Sequence, residues 1–432
     1  MNDVGLNSAA AQRGEFTLGW KVLLAAVLGV ACGASPIPMN VIGLTVEPAV
    51  AEMGWTRVQA TMPILIYGVI AALLAPLFGS FADRYGVRRV AICSLAAFGV
   101  AFAALALTPA AKGGSTLSIY YGLWVVIGLV GIGSTPVTWS RAINMWFYKN
   151  RGLALGILLL GTSLTAIIVP KLTVWAIAAY GWRSMFAIVA LLPLLVALPL
   201  AIGFFREPTP AEQPAAIKGA SGKLTGVTLR RAVADHRFWL IWLSIALIAI
   251  AFGGIFVSLP SLLTDRGLAS AIATVMGTLG MGLLTGRIIT GLLLDRIWAG
   301  FVAFPLLCLP AIASYMLLDH SLAQTAAVTA GFLLGFAAGA ESDLIAFLAG
   351  RYFGMAHYGK IYGMLYMPFG LCSAVSPIIY ARVRDVTGSY DAVLSLAIFA
   401  YVISGALLLL LGRYPDDFPE SGGESEPAAV IA

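Results

Sequence analysis

Charged residues are scarce in this sequence. Only 11% of its 432 residues are Asp, Glu, Lys or Arg, whereas 60% are hydrophobic and the mean hydropathy is +0.93. A soluble domain carries about 25% charged residues, so this chain has too little polar surface to cover a water-soluble globule. The composition therefore excludes an ordinary soluble fold and indicates a protein that lies in lipid.

Several chemical signatures are also missing. The sequence has no GxxxxGK[ST] phosphate loop, which argues against transport driven by ATP, and no HExxH or CxxC motif. The few cysteines lie in apolar runs, where buried and inert thiols are expected: Cys32, Cys93, Cys308 and Cys372. We therefore expect no cofactor, no metal and no enzymatic activity, and a protein that moves solutes without transforming them.

Long apolar runs fill most of the chain. A helix needs roughly 20 apolar residues to cross a hydrocarbon core about 30 Å thick. The runs predict membrane spans at 18–46, 58–81, 88–109, 117–145, 151–178, 183–205, 237–263, 268–293, 299–318, 323–349, 358–381 and 390–412. The predicted fold is an all-α membrane protein with twelve transmembrane helices.

The positive charge of the chain, +6, follows this topology. Most of the 26 lysines and arginines fall in loops on the side that both termini share, and such loops are typically cytoplasmic. We therefore predict cytoplasmic termini and a multi-pass protein of the cell membrane, the inner membrane if the source is bacterial. The positive charge is thus explained by the orientation of the chain in a lipid bilayer, which is the expected partner, and no nucleic acid partner is expected.

The chain divides into two similar halves. Its longest internal polar stretch contains Pro208, Pro210 and Pro214, as flexible linkers do. The predicted parts are a tail at 1–17, a six-helix bundle at 18–206, a linker at 207–236, a second bundle at 237–412 and a tail at 413–432. Gly79-Ser-Phe-Ala-Asp83-Arg84 after the second span is matched by Gly291-Leu-Leu-Leu-Asp295-Arg296 after the eighth. Duplicated six-helix units are typical of transporters that bind substrate between two halves.

The stretch GSFADRYGVRR, residues 79–89, closely resembles the loop signature GxxxDRxGRR of the major facilitator superfamily. The resemblance implies the major facilitator fold, which we expect to act as a monomer. It also implies a cytoplasmic latch between the halves, formed by Gly79, Asp83, Arg84, Gly86, Arg88 and Arg89 and by their counterparts Asp295 and Arg296.

Finer features resemble the monocarboxylate and oxalate/formate porter branch of that superfamily. They are Gly54-Trp55-Thr56-Arg57, Trp146-Phe147 followed by RGLALG at 151–156, Gly286-Arg287 ahead of Asp295, and the segment DVTGSY at 385–390. This resemblance implies that Arg287 binds the carboxylate of the substrate.

Two departures narrow the substrate class. The lysine that oxalate-type members carry in the eleventh helix is missing from Met367-Pro368-Phe369-Gly370, which weakens the case for a small dicarboxylate. The arginine and GP motif of drug exporters are also missing: Trp124 takes the place of the arginine, and Gly161-Thr162-Ser163 lacks the motif. Drug/proton antiport is therefore less favoured.

Ionisable residues inside spans are costly and are the best pointers to function. Arg287 lies roughly 12 Å along the helix from Asp295, and its guanidinium can bind a carboxylate through two hydrogen bonds. The alternative for Arg287 is a structural ion pair. Arg141 either attracts the anion or braces the latch by pairing with Asp83. Lys171 is expected to extend towards the outer interface.

Glu341 and Asp343 are the candidates for proton coupling. Residues two apart on a helix differ by about 200°, so the two acids face different neighbours, and the sequence does not choose between them. Asp343 continues a row formed by Gly331, Gly335 and Gly339, a spacing that lets helices pack closely. Aromatic residues are candidates for lining the pathway, with packing or anchoring at the membrane interface as the alternative: Tyr67, Trp139, Tyr362 and Tyr366.

The sequence thus predicts a secondary active transporter of an organic anion, favouring a monocarboxylate that moves by proton symport with alternating access. Substrate/product anion exchange is the first alternative, and efflux of drugs or amphipathic solutes is the second. A membrane receptor that transports nothing is a third, disfavoured by the paired loop signatures and the buried charges.

Overall fold

The computed structural model describes residues 14–111, 114–209, 212–214, 217, 224–415 and 418–419. Most of the predicted tails 1–17 and 413–432, and part of the predicted linker 207–236, lie outside these residues. The described helices are α1 (Glu15–Ala31), α2 (Pro36–Met53), α3 (Arg57–Tyr85), α4 (Val87–Ala104), α5 (Gly114–Gly131), α6 (Pro136–Trp146), α7 (Arg151–Leu191), α8 (Leu198–Phe204), α9 (Leu229–Ala234), α10 (His236–Asp265), α11 (Ile272–Leu294), α12 (Ala299–Leu317), α13 (Gln324–Phe353), α14 (Tyr358–Thr387) and α15 (Asp391–Leu409).

Local chemistry explains where several helices begin and break. Thr56 and Gln59 form a capping box that starts α3, each side chain bonding the other's backbone N–H. The first crossing is broken between α1 and α2, where Pro36 opens the second helix. The fourth is broken by a 3₁₀ turn, Ile132–Ser134, after which Pro136 opens α6. The spans predicted at 18–46 and 117–145 are therefore two helices each.

A glycine separates the fifth and sixth crossings. The helical stretch Arg151–Phe204 contains 54 residues, roughly 80 Å of helix and far longer than a bilayer is thick. Gly181 has φ 80° and ψ 165°, so the chain turns there and crosses back. The eleven long apolar stretches in the described residues therefore make twelve crossings. This confirms the predicted all-α fold of a membrane protein.

Both described chain ends lie on one face of the molecule. Near the first, the Glu15 carboxylate accepts hydrogen bonds from the backbone of residues 148–150, and near the other the Tyr414 hydroxyl accepts the backbone N–H of Ala299. The loop acids Asp83 and Asp295 lie on this face, which we call the latch face. The positive loops predict that it is cytoplasmic. The two halves meet along α3 against α14 and along α7 against α11.

Candidate functional site

On the latch face, Asp83 joins the end of α3 to the start of α14 in the other half. Its carboxylate accepts the backbone N–H groups of Gly359 and Lys360, each at 2.9 Å. A carboxylate is stabilised there because the first N–H groups of a helix lack partners and carry partial positive charge. The approach requires glycine, since a Cβ at Gly79 would overlap the carbonyl of Gly359.

Asp295 makes the equivalent contact in the opposite direction. It follows α11 of the second half and accepts the N–H groups of Gly152 and Leu153, at 2.6 and 2.9 Å, where α7 of the first half begins. Burial raises the pKa of the Asp295 carboxyl, an effect that the two N–H donors oppose. Its ionised form is therefore held mainly by the helix that it caps.

Arg141 lies in the latch. Its Nε is 2.8 Å from Oδ1 of Asp83, its Nη1 is 3.9 Å from Glu207, and its side chain is buried. Of the two roles that the sequence left open for Arg141, this geometry favours bracing Asp83. Glu207, which sequence reasoning did not single out, also accepts the N–H of Val87 at 2.6 Å and thereby holds the start of α4.

The other signature residues have more local contacts. Gly86 has φ 86°, a conformation that favours glycine, and makes the sharp turn between α3 and α4. Arg88 donates to the carbonyl of Ile202 at 2.6 Å within the same half, and Arg84 lies over the ring of Tyr85. Arg89 and Arg296 are exposed on the latch face. The bonds described between the halves at these loops therefore come from the two acids, not from the arginines of the signature.

The halves are bound together more closely on the latch face than on the opposite one. At the latch ends of the helices, glycines let the backbones of the two halves touch directly: Gly79 contacts Gly359, and Gly152 contacts Gly291. On the opposite face the described ion pairs, Arg183–Glu52, Arg266–Asp391 and Arg384–Asp265, each join residues of one half. This arrangement is closed on the latch face.

Arg287 lies on α11 above this closed face, with its side chain only 5% exposed. A Cβ at Gly156 of α7 would lie 2.7 Å from the Arg287 carbonyl oxygen, so Arg287 sits where the two halves touch. Its Nε and Nη1 have no hydrogen-bond partner, and among the described residues no carboxylate lies within ion-pair distance of it. Arg287 is thus a buried cation with free donors at the interface of the halves.

Asp343 on α13 faces the same place. Its Oδ2 would be 3.5 Å from a Cβ at Gly156, and its charge interacts with that of Arg287 although the two side chains form no ion pair. Both of its carboxylate oxygens lack hydrogen bonds. The glycines that precede Asp343 at four-residue intervals, Gly335 and Gly339, pack directly on the backbone of α11, which brings the acid to Arg287.

Glu341 faces a different side of α13, as the helical spacing requires. Its side chain is 5% exposed, its Oε1 has no hydrogen bond, and its charge interacts with the hydroxyl groups of Tyr366 on α14 and Tyr401 on α15. The two acids are therefore held in separate environments, Asp343 at the interface of the halves beside the arginine and Glu341 among tyrosines of the second half.

The aromatic candidates separate into two groups. Tyr67 of α3 and Tyr366 of α14 are close enough for their hydroxyl groups to interact, which places them together between the halves. Trp139 instead packs inside the first half, with its ring 4.4 Å from that of Phe205 and its Nε1 donating to the carbonyl of Ser134. The within-span cation Lys171 is exposed.

Two further residues belong to the central cluster. Tyr362 is fully buried between the rings of Tyr358 and Tyr366, its hydroxyl has no hydrogen bond, and it interacts with Asp343. Gly156 makes room for Arg287. Tyr362 was among the aromatic candidates from the sequence, whereas Gly156 was present there only as one letter of the RGLALG stretch.

Known proteins resemble most of the chain. The profile described as Major Facilitator Superfamily matches residues 23–377. The gallate transporter of Pseudomonas putida is 25% identical over 374 residues, which are 75% of this chain and 80% of that protein. Monocarboxylate transporter 13 of Bos taurus is 25% identical over 322 residues, 72% and 71% of the two chains. The crystal structure of the human organic anion transporter MFSD10 (TETRAN) matches with a TM-score of 0.69 at 16% identity, covering 92% of this chain and all of that one.

The twelve crossings in two halves, closed by reciprocal loop acids around a buried charged cluster, define a membrane transporter. The chain belongs to the Major Facilitator Superfamily and is a multi-pass membrane protein. The structural match, at 16% identity, bears on the fold alone.

Proposed function

We propose that this protein is a proton symporter of a monocarboxylate, with Arg287 as the group that binds the carboxylate. The observation that carries the proposal is the buried guanidinium at the interface of the halves, with Nε and Nη1 unpaired. Leaving such donors unsatisfied is costly in a folded protein, and a carboxylate is the ligand that their planar geometry fits. A substrate there would touch the surfaces that separate when the halves rock.

Asp343 is the proposed proton carrier. It shares the interface with Arg287, forms no ion pair with it and has two unbonded oxygens. Substrate on Arg287 removes the positive charge that stabilises ionised Asp343, so binding the anion favours proton uptake by the acid. The loaded site is then neutral, which lowers the cost of moving it through the membrane interior.

Of the two arginines that the sequence offered for the substrate, only Arg287 has no acid partner among the described residues, which supports a monocarboxylate over a dicarboxylate. Arg141 is the other buried arginine that the sequence offered for the substrate, and it is bonded to Asp83 in the latch. The gallate transporter and monocarboxylate transporter 13, to which this chain is similar, are named for carboxylates, which supports this substrate class.

The test is uptake of a panel of radiolabelled carboxylates into proteoliposomes, with and without an inward proton gradient. Uptake of at least one monocarboxylate is expected to rise with the gradient and to be lost in Arg287→Gln. Lys171→Gln is the matched control, because it removes an exposed cation from a span. If uptake requires an anion loaded inside the vesicles and does not respond to the proton gradient, the mechanism is anion exchange and not proton symport. Transport of a solute equally well by Arg287→Gln would remove the central role of the arginine.

A further inference from the structure

A cavity of about 380 Å³ opens on the latch face of the second half. It lies between the end of α11, the start of α12, the end of α13 and the segment that follows α15. Its polar lining consists of Asp295, Arg296, Trp298, Arg351, Arg413 and Tyr414. The volume falls in the range of small-molecule sites, about 300–1,000 Å³.

The lining carries three arginines and a single acid. Both oxygens of Asp295 already accept N–H groups of α7, at 2.6 and 2.9 Å, so this acid is engaged with the latch. Arg351 donates to the Tyr148 hydroxyl, lies 4.8 Å from the ring of Tyr414, and leaves its Nε without a partner. In the part of the chain that the structure describes, Arg296, Arg351 and Arg413 form no ion pair with a carboxylate. The described lining residues therefore carry more positive than negative charge, as a site for an anion requires.

Its surroundings combine exposed apolar side chains with positive charge, as a site for a lipid headgroup would. The adjoining turn of α12 exposes large apolar side chains, Ile297 at 45% and Phe301 at 66%. Trp298 lines the cavity and also packs its ring 5.1 Å from that of Phe301, and tryptophan is enriched at membrane interfaces. Basic pockets at helix ends on the cytoplasmic side are suited to phospholipid headgroups.

We propose that this cavity binds the phosphate ester of an anionic phospholipid headgroup, with Arg296, Arg351 and Arg413 as its ligands. Free phosphate shares the same chemistry, so the experiment separates the two sources. Occupation also bears on the latch, because Arg351 interacts unfavourably with the buried Arg151 beside Asp295. An anion at Arg351 relieves that repulsion and stabilises the closed latch.

The test is thermal unfolding of the purified protein in neutral detergent, titrated with short-chain phosphatidylglycerol, short-chain phosphatidylcholine or inorganic phosphate. Phosphatidylglycerol is expected to raise the Tm saturably, whereas phosphatidylcholine is not. Arg296→Gln/Arg413→Gln is expected to weaken the apparent affinity by at least about tenfold, because it removes two of the three charged hydrogen-bond donors to the phosphate. Arg351 is left intact because it also packs in the fold.

Arg230→Gln/Arg231→Gln is the matched control, because it removes two exposed positive charges from the second half outside the cavity. It is expected to bind phosphatidylglycerol as the parent does. If inorganic phosphate raises the Tm saturably, phosphatidylglycerol does not, and the shift is lost in Arg296→Gln/Arg413→Gln, the cavity is an anion site whose ligand is a soluble phosphate. No saturable shift with either ligand, or equal weakening in both double variants, overturns the proposal.

Discussion

Asp83 and Asp295 make the same contact in opposite directions: each caps the first turn of a helix that belongs to the other half. A capping bond of this kind exists only while the halves are together on that face. The two acids therefore stabilise one state of the transporter, the state closed on the latch face, and both contacts must break before that face opens.

Removing the charge of either acid is expected to open the latch. In Asp83→Asn and Asp295→Asn the amide keeps the shape of the carboxylate but loses the charge that suits a helix N-terminus. A capping interaction is worth about 0.5–2 kcal/mol, so the ratio of open to closed molecules on the latch face is expected to rise by roughly two- to thirtyfold.

Spin-label distances measure this shift. Labels at Arg89→Cys and His236→Cys, exposed positions in the two halves on the latch face, report their separation in a chain whose four native cysteines are replaced. A longer distance component is expected to grow in each variant. Asp265→Asn is the control, since Asp265 pairs with Arg384 within one half. An unchanged distribution in both latch variants would contradict the assigned role.

Adding one methyl group at Gly156 is expected to disturb the central site. A Cβ there would lie 2.7 Å from the Arg287 carbonyl oxygen, a contact that only a shift of backbone can relieve. Overpacking of this kind costs about 1–3 kcal/mol, so Gly156→Ala is expected to lose most transport activity and to favour opening between α7 and α11. In the control Gly43→Ala the new methyl group meets open space and activity is expected to persist. Full activity of Gly156→Ala would show that this contact is not needed.

The two buried acids are expected to respond differently to neutralisation. Asp343→Asn removes the proposed proton carrier and is expected to abolish uptake driven by a proton gradient while preserving exchange of labelled for unlabelled substrate. Glu341→Gln alters an acid that faces tyrosines of the second half, and is expected to retain a dependence on the gradient. The measurement is gradient-driven uptake beside counterflow for each variant. The reverse pattern would assign the proton to Glu341.

The central charges are expected to reduce the stability of the protein. Arg287 and Asp343 are buried without hydrogen bonds for most of their polar atoms. Replacing poorly paired buried charges is often stabilising, by about 1–4 kcal/mol. We therefore expect Arg287→Gln/Asp343→Asn to have a higher Tm than the parent in detergent, although it does not transport. A lower Tm would indicate that the pair contributes to folding.

Sequence patterns predicted the fold because hydrophobic length is a strong signal in a membrane protein. They were less informative about breaks within spans. Only the structure locates the interruptions before Pro36 and Pro136, which contact each other where the Ala34 N–H donates to the Ser134 hydroxyl at 3.0 Å. The turn between the fifth and sixth crossings was expected between 178 and 183, and it lies at Gly181.

The site was predictable where chemistry is local to a helix. Helical spacing alone separates Glu341 from Asp343, and the cost of charge in lipid points to Arg287. The role of Arg141 could be assigned only from its distance to Asp83. The role of Gly156 could be assigned only once the structure showed which helix of the other half packs against it. Contacts between halves join residues more than a hundred positions apart, which one sequence does not specify.

Coupled movement of substrate and proton is the central claim, and a pH-sensitive dye trapped inside proteoliposomes measures it most directly. An external monocarboxylate is added with no imposed gradient and with the membrane potential clamped. The account predicts acidification inside the vesicles containing the parent protein, and none with Arg287→Gln or Asp343→Asn. Entry of the labelled acid through the parent protein without any change in internal pH would contradict proton symport.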